Sequence, residues 1–324
     1  MNLLNECAGA EKIGISAHIR PDGDAVGSSM ALYLYLKKML PNALVKLFLE
    51  TPPDNLIHLK YINEIDSDYE YSGDFDVFFA LDTAADRLGK AESYFQNAIK
   101  KINIDHHISN EAGCGDVNVV LPKASSTAEV LYGLMQEEYL DEDIAVALYT
   151  GIIHDCGVFQ YTNTSPKTMM IGAKLISFGF PFSKIIEESF YQKTYLQNQI
   201  LGRALMESIR FFDGRCIVSC IDQKMLEFYQ ALPSDMDGIV NQMRNSKGVD
   251  CAVFMYETAT LEYKVSMRSN EYVDVAKVAS YFGGGGHIRA AGCTMSGTFH
   301  DVIENLSSQI EIQLRDKAEC IMES

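Results

Sequence analysis

Seven side chains that can hold a cation or pass a proton fall in four short segments: His18, Asp22 and Asp24, then Asp82, then His106 and His107, then Asp155. Asp105 stands immediately before the paired imidazoles. Neighbouring His beside a carboxylate offer the mixed nitrogen and oxygen donors that suit divalent transition metals. Gathered in one crevice, these four carboxylates and three imidazoles would suit a two-metal hydrolytic site. In such a site one carboxylate bridges cations about 3.5–4 Å apart, and open positions take water and phosphate. Mixed His and Asp ligation fits Mn2+, with Mg2+, Co2+ or Fe2+ as rivals. Singly, each residue is as readily a helix-capping Asp or a loop His, so the reading depends on whether the chain brings them together.

The elements expected to do so alternate. Residues 11–17 read as a strand, and Pro21 and Gly23 punctuate the loop that follows. Residues 25–40 carry apolar positions at helical spacing, and 43–49 form a second strand. Residues 75–81 (FDVFFAL) are nearly all apolar, as in a strand buried on both faces, and end at Asp82. Ile102 and Ile104 mark a strand ending at Asp105. Ser126 and Glu129 have the spacing of a capping box, residues 143–153 form a helix running into Asp155, and Ser165-Pro166 starts another that Gly179 closes. This alternation up to about residue 180 indicates a doubly wound, mostly parallel α/β sheet. Ligands collect at the carboxyl ends of such strands, where the polar residues fall.

Residues 183–212 read as helix without strands, a connector. A smaller second α/β unit follows, with a strand at 216–221, helices across 223–246, strands near 251–257 and 261–267 and a helix at 273–282. Gly283-Gly284-Gly285-Gly286-His287 comes next, then a small-residue turn at 290–292 and a final helix. A glycine run lets backbone approach a ligand closely and can form an anion-binding concavity. It lacks the Gly-Lys-Ser/Thr ending of an ATP phosphate loop. The expected domains are 1–185, a connector at 186–212, and 213–324.

The chain has 324 residues, 47% of them hydrophobic and 22% charged, enough for two domains with their own cores. No stretch approaches the roughly 20 apolar residues of a membrane span, and Glu6 with no basic flank argues against a signal peptide. Eight cysteines without paired spacing fit reduced thiols in the cytoplasm. The net charge of −17 argues against a grip on long duplex nucleic acid. A small phosphorylated substrate is compatible with it, because bound cations can supply the positive charge.

These motifs resemble the DHH phosphoesterase superfamily. The resemblance rests on His18-x-x-Pro21-Asp22-Gly23-Asp24-Ala25-x-Gly27-Ser28, Asp82 in LDTAADRLG, Asp105-His106-His107, and Gly151-x-x-x-Asp155-x-Gly157-x-Phe159. Met267-Arg268-Ser269 and the GGGGH run with Ala290-Ala291-Gly292 resemble the DHH-associated C-terminal domain. The short two-domain form is most similar to the bifunctional oligoribonucleases and phosphatases of 3′-phosphoadenosine 5′-phosphate (pAp). The resemblance implies that His18, Asp22 and Asp82 bind one divalent ion and Asp24, Asp82, His106 and Asp155 a second, with Asp82 bridging. It places His107 against the scissile phosphate and makes Asp105 the partner that steers an imidazole. Cys156 departs from the Thr or Ser usual there, and is read as a buried thiol.

The implied chemistry is hydrolysis of short RNA to mononucleotides and of pAp to AMP. Arg87, Arg268, Ser269, Gly284, Gly285, Gly286 and His287 are expected to meet the substrate. Cleavage of linear dinucleotides of the pApA type, or nucleotide sensing without turnover, are the alternatives. Expected partners are short RNA or phosphorylated nucleotides, with no membrane; a homodimer is among the assemblies allowed.

Overall fold

A computed structural model describes the backbone of residues 1–322, with side chains as far as Arg315. The chain divides into two compact units, Met1–Gln192 and Lys193–Ser324. The first contains α1 (Leu3–Glu6), β1 (Lys12–Ser16), α2 (Gly23–Met39), β2 (Leu44–Phe48), β3 (Val77–Leu81), α3 (Glu92–Asn97) and β4 (Lys100–Asp105). It continues with β5 (Val117–Val120), α4 (Thr127–Tyr132), α5 (Glu142–Asp155), α6 (Pro166–Ile176) and α7 (Phe182–Ile186). Its five strands run in the order β2-β1-β3-β4-β5, every neighbouring pair parallel.

Burial on both faces explains the apolar run of β3. Val77, Phe79 and Leu81 join Ile13, Ile15, Ile102 and Ile104 under α2, α4 and α5. Phe78 and Ala80 face the other way, into an aromatic cluster with Phe48, Phe75 and Phe95. The strand order reverses between β1 and β3, the point at which open α/β sheets form a crevice. His18 follows β1 and Asp82 follows β3, one on each side of that point.

Close contact between α2 and α5 sets the depth of the crevice. A Cβ on Gly27 would lie 2.6 Å from the Ala147 carbonyl oxygen and 2.7 Å from the Gly151 nitrogen, both backbone atoms of α5. A Cβ on Gly151 would stand 2.8 Å from Asp24 Oδ1. The two glycines let the N-terminus of α2, with Asp24, meet the C-terminal half of α5, which ends at Asp155.

The second unit holds α8 (Tyr195–Met206), β6 (Ile209–Phe211), β7 (Cys216–Ile221), α9 (Gln223–Tyr229), α10 (Ile239–Arg244), β8 (Cys251–Ala259) and β9 (Glu262–Ser269). It ends with α11 (Val275–Tyr281), β10 (Gly285–His287), β11 (Ala290–Ser296) and α12 (Phe299–Met322). The sheet order is β10-β11-β9-β8-β7-β6, with β7 and β8 parallel and the other pairs antiparallel. One face packs on α11 and α12, the other on α8 and α10. No described helix is long and apolar enough to cross a membrane.

Four expectations differ from this structure. β5 and β6 were not anticipated, because short edge strands carry half-exposed side chains and no apolar run. Residues 183–212 are not continuous helix: a π-helical turn at Glu187–Tyr191 and non-helical residues separate α7 from α8, and β6 closes the segment. The small-residue turn at 290–292 is the start of β11, in which Ala291, Cys293 and Met295 alternate inward. The capping box at Ser126 is half made. Ser126 Oγ accepts the Glu129 N–H at 3.0 Å, whereas Glu129 turns to Ser125 and to Thr168 of α6.

Gly27→Ala is expected to cost roughly 1–3 kcal/mol, because backbone on both sides cannot give way. Gly202→Ala, in α8 with nothing within 4 Å of the added carbon, is expected to be neutral or stabilising. Thermal melts of the two variants check this; equal melting temperatures would mean that α2 and α5 can separate freely.

Candidate metal centre

Asp22 caps α2, its Oδ1 accepting the Asp24 and Ala25 N–H groups at 3.0 and 3.1 Å. Asp24, one position into the helix, is buried and points towards α4, where Oδ2 accepts the Thr127 N–H at 2.6 Å and Oδ1 the Ala128 N–H at 3.0 Å. The Thr127 hydroxyl donates to Asp82 Oδ1 at 3.0 Å. Thr127 therefore ties together two carboxylates that come from different strand ends. Asp82 has a φ of 55°, a left-handed backbone that costs a non-glycine residue about 1–3 kcal/mol. Its own N–H still extends the β3–β4 ladder, to the Ile104 carbonyl at 3.0 Å.

Imidazoles surround Asp82. His18 Nε2 lies 3.5 Å from Asp82 Oδ2 and 3.8 Å from Asp22 Oδ1. His106 Nε2 lies 3.6 Å from Asp82 Oδ1 and 3.2 Å from Asp155 Oδ2. Both rings are oriented from behind, as Nδ1–H of His18 donates to the Ile19 carbonyl at 2.8 Å and that of His106 to the Ala124 carbonyl at 3.3 Å. A backbone carbonyl can only accept, so Nε2 of each ring is left facing the carboxylates, the arrangement that orients a ligating His. Three sets of donors, His18/Asp22/Asp82, Asp24/His106/Asp155 and Asp82/His106/His107, each lie mutually within 4.8 Å and could hold a metal ion.

His107 is held differently. Its Nδ1 is 2.9 Å from Asp105 Oδ1, which also accepts the backbone N–H of His106 and His107. Asp105 Oδ2 accepts from Asn110 Nδ2 at 2.7 Å, and Asn110 also reaches Asn103 Oδ1 and the Thr83 carbonyl. With Nδ1 committed to Asp105, the free edge of His107 is Nε2.

The electrostatics follow from this crowding. Burial, with Asp82, Asp155 and Asp22 nearby, raises Asp24 well above the usual carboxylate range. Burial likewise raises Asp155 to about 6, against the opposing influence of His106. Burial acts against charge on His18, but hydrogen bonds to Asp22 and Asp82 prevail and lift it to about 10. Desolvation by its neighbours acts against charge on Asp22, although its side chain is 62% exposed, but hydrogen bonds from His18 and Ala25 prevail and draw it down to about 2. The Asp105 hydrogen bond raises His107, and Asp105 itself is lowered in spite of its burial by His107 and Asn110.

The six residues expected to ligate metal, His18, Asp22, Asp24, Asp82, His106 and Asp155, converge here, as do His107 and Asp105. Cys156 is buried, with Sγ accepting the Phe159 N–H at 3.2 Å in the left-handed turn Gly157-Val158-Phe159. Thr127, Asn103 and Asn110 were not anticipated, since a lone Thr or Asn has no distinctive spacing. Arg87 is exposed, and its carbonyl accepts the Ile19 N–H at 2.9 Å.

In the second unit, Arg268 donates through Nε to Asn241 Oδ1 at 3.1 Å, and His287 is exposed on β10. Ser269 is not available to a ligand as expected: it is buried, and its hydroxyl donates to the Val273 carbonyl at 2.6 Å. The glycine run does not form the expected anion-binding concavity either. Gly283 and Gly284 donate to the Ser280 and Ala279 carbonyls and close α11, while Gly285 and Gly286 pair with Gly292 and Ala291. Gly284 is required by proximity, since a Cβ there would meet the Gly292 oxygen at 2.2 Å.

Asp105→Asn is expected to bring the His107 pKa down towards the ordinary histidine range in metal-free protein, because the negative partner at Nδ1 is lost. An NMR titration of His107 checks this, and an unmoved titration would assign the raised value to Asp82 instead.

Comparison with known proteins places both units in described domain families. Residues 12–152 match the DHH family, N-terminal domain, and residues 214–316 the DHHA1 domain. The bifunctional oligoribonuclease and PAP phosphatase NrnA of Thermus thermophilus is 31% identical, over 88% of this chain and 84% of its own length. A crystal structure of an exopolyphosphatase-related protein from Bacteroides fragilis has a TM-score of 0.84 at 25% identity, covering 95% of this chain and 94% of that one. Exonuclease RecJ, solved with manganese bound, shares the fold at a TM-score of 0.53 and 14% identity, covering 96% of this chain and 92% of its own. With both domains matched in order and a relative of this identity aligned along most of both lengths, the chain belongs to the DHH family of hydrolases.

Proposed function

We propose that this protein is a two-metal phosphoesterase that hydrolyses short oligoribonucleotides to mononucleotides and pAp to AMP. The observation that carries the reading is the position of Asp82, whose Oδ2 faces His18 Nε2 and whose Oδ1 faces His106 Nε2. His18, Asp22 and Asp82 would hold one divalent ion, and Asp24, Asp82, His106 and Asp155 the second. The donor set fits: crowded, buried carboxylates whose protonation is favoured in metal-free protein are what a pair of cations would relieve. Hard and borderline donors of this kind suit Mn2+. Bound there, the ions would supply an acidified water and neutralise phosphate charge.

The chain's own residues have three tasks. Thr127 and the N-terminus of α4 fix the Asp82 and Asp24 carboxylates. Asp105 holds His107 with Nε2 outward and favours its protonated form, so that His107 can donate to a phosphate oxygen or to the leaving group. Arg87, exposed beyond Asp82, is a candidate phosphate contact, and Arg268 and His287 are candidate ligands in the second unit. The complete donor set favours turnover over sensing. The seven cysteines of the described residues are free thiols, which suits the cytoplasm.

Purified protein with Mn2+ is expected to cleave an RNA dinucleotide and a pentanucleotide quickly, a long RNA poorly, and pAp to AMP, all sensitive to EDTA. Asp82→Ala should lose at least about a hundredfold, because a group shared by both ions is removed. Cleavage of linear pApA alone would point to second-messenger turnover, and nucleotide binding without cleavage to a sensor.

Metal uptake should also release protons. His18 stays protonated up to about 10 in metal-free protein, and only a neutral imidazole can ligate. Affinity for Mn2+ should therefore rise with pH between about 6 and 9, with Asp155 releasing a further proton below about 6. Calorimetric titrations in two buffers of different ionisation enthalpy check this. Identical heats in the two would remove His18 from the ligand set.

A further inference from the structure

The first unit contains two arginines, Arg20 and Arg87, and both fall on segments that carry donors of the metal centre. Arg20 stands between His18 and Asp22, and Arg87 follows Asp82 in the next turn of chain. The two segments touch. The Arg87 carbonyl accepts the Ile19 N–H at 2.9 Å, and a Cβ on Gly89 would meet Ile19 Cγ2 at 2.4 Å. Both arginines are exposed. The arginine ion pairs of the described residues are Arg203–Glu207 and Arg315–Glu311, so neither Arg20 nor Arg87 takes part in one. In the same unit Lys37, Lys38, Lys60 and Lys100 are all paired with carboxylates. Even Glu50, whose Oε2 accepts the Arg20 backbone N–H at 2.7 Å, forms no ion pair with its guanidinium.

The Arg20 backbone is strained as well. Its φ is 52°, left-handed, which is costly for a residue with a side chain, and Pro21 steers the residue before it towards extended backbone. The tight turn has a purpose, because it brings His18 Nε2 to 3.8 Å from Asp22 Oδ1. That purpose explains the conformation and not the side chain, since glycine adopts such a φ freely. An arginine held where the backbone suits glycine, and left unpaired in a chain with a net charge of −17, is accounted for by an anion from outside the chain. The planar guanidinium fork matches phosphate oxygens better than an ammonium does. Arg20 is two residues from both His18 and Asp22, members of one donor set, so a phosphate drawn to that set arrives beside its loop.

We infer that Arg20 binds the scissile phosphate of the substrate at the mouth of the metal centre, alongside Arg87. This rests on the phosphoesterase reading above and adds to it a residue that grips the reacting group itself.

The test measures the melting temperature of metal-free protein, and kcat/KM for an RNA dinucleotide with Mn2+, in wild type, Arg20→Gly and Arg20→Lys. Arg20→Gly should melt at or above wild type, because the left-handed position no longer carries a side chain. Its kcat/KM should nevertheless fall roughly ten- to a hundredfold, the loss of a hydrogen bond between charged groups. Arg20→Lys keeps the charge without the fork and should recover part of the loss. A residue needed only for the turn would keep its activity as glycine. Wild-type turnover in Arg20→Gly, a loss that comes with a lower melting temperature, or no recovery in Arg20→Lys would overturn the inference and leave the phosphoesterase reading standing. Failure of wild type to cleave would instead overturn that reading. Calorimetric titration of inorganic phosphate into Mn2+-loaded wild type and Arg20→Gly would then decide Arg20: weaker binding in the variant supports it, equal binding overturns it.

Discussion

Four carboxylates, Asp22, Asp24, Asp82 and Asp155, meet at one site, with Asp24 and Asp82 buried and Asp22 at its exposed rim, and the crowding of like charge on Asp24 and Asp155 is the constraint around which the first unit is built. Chain folding alone does not relieve it. Desolvation and like charge raise Asp24 and Asp155, while His18 remains a cation between Asp22 and Asp82. Such a site stores electrostatic cost that positive charge can remove, and a divalent ion supplies more of it per unit volume than any side chain. The scaffold holds the carboxylates in place against that repulsion.

It does so with backbone groups more than with side chains. Asp24 is held by two N–H groups at the start of α4, Asp22 by two at the start of α2, and His18 and His106 by carbonyl oxygens behind their rings. Backbone anchors do not change rotamer, so the donors are fixed before any ligand arrives. The close packing of α2 on α5 at Gly27 and Gly151 then joins the Asp24 and Asp155 ends of the pocket. The left-handed backbone at Asp82 is a local cost that the surrounding sheet sustains.

The second unit is built on different local rules: its hairpin glycines serve close packing of β10 on β11 and closure of α11. Ser269 turns inward and braces the segment leading to α11, so the Arg-Ser pair divides into one outward and one inward residue, as alternation along a strand requires.

The sequence by itself determined the donor chemistry of the candidate metal centre and most of the elements that carry it. Donor types, the apolar run at 75–81 and the glycines at 27 and 151 are local, and periodicity places His18, Asp82, His106 and Asp155 at element ends. Tertiary structure decided what depends on partners distant in the chain. Thr127 became the link between Asp24 and Asp82 because α4 packs across the strand ends, 103 and 45 residues from them in sequence. Glu129 left its capping box for Thr168, 39 residues away. Residues 285–287 and 290–296 became strands because β9 offered an edge that a small-residue segment could pair with. Hydrogen-bond partners and sheet edges are non-local quantities, and no spacing along the chain encodes them.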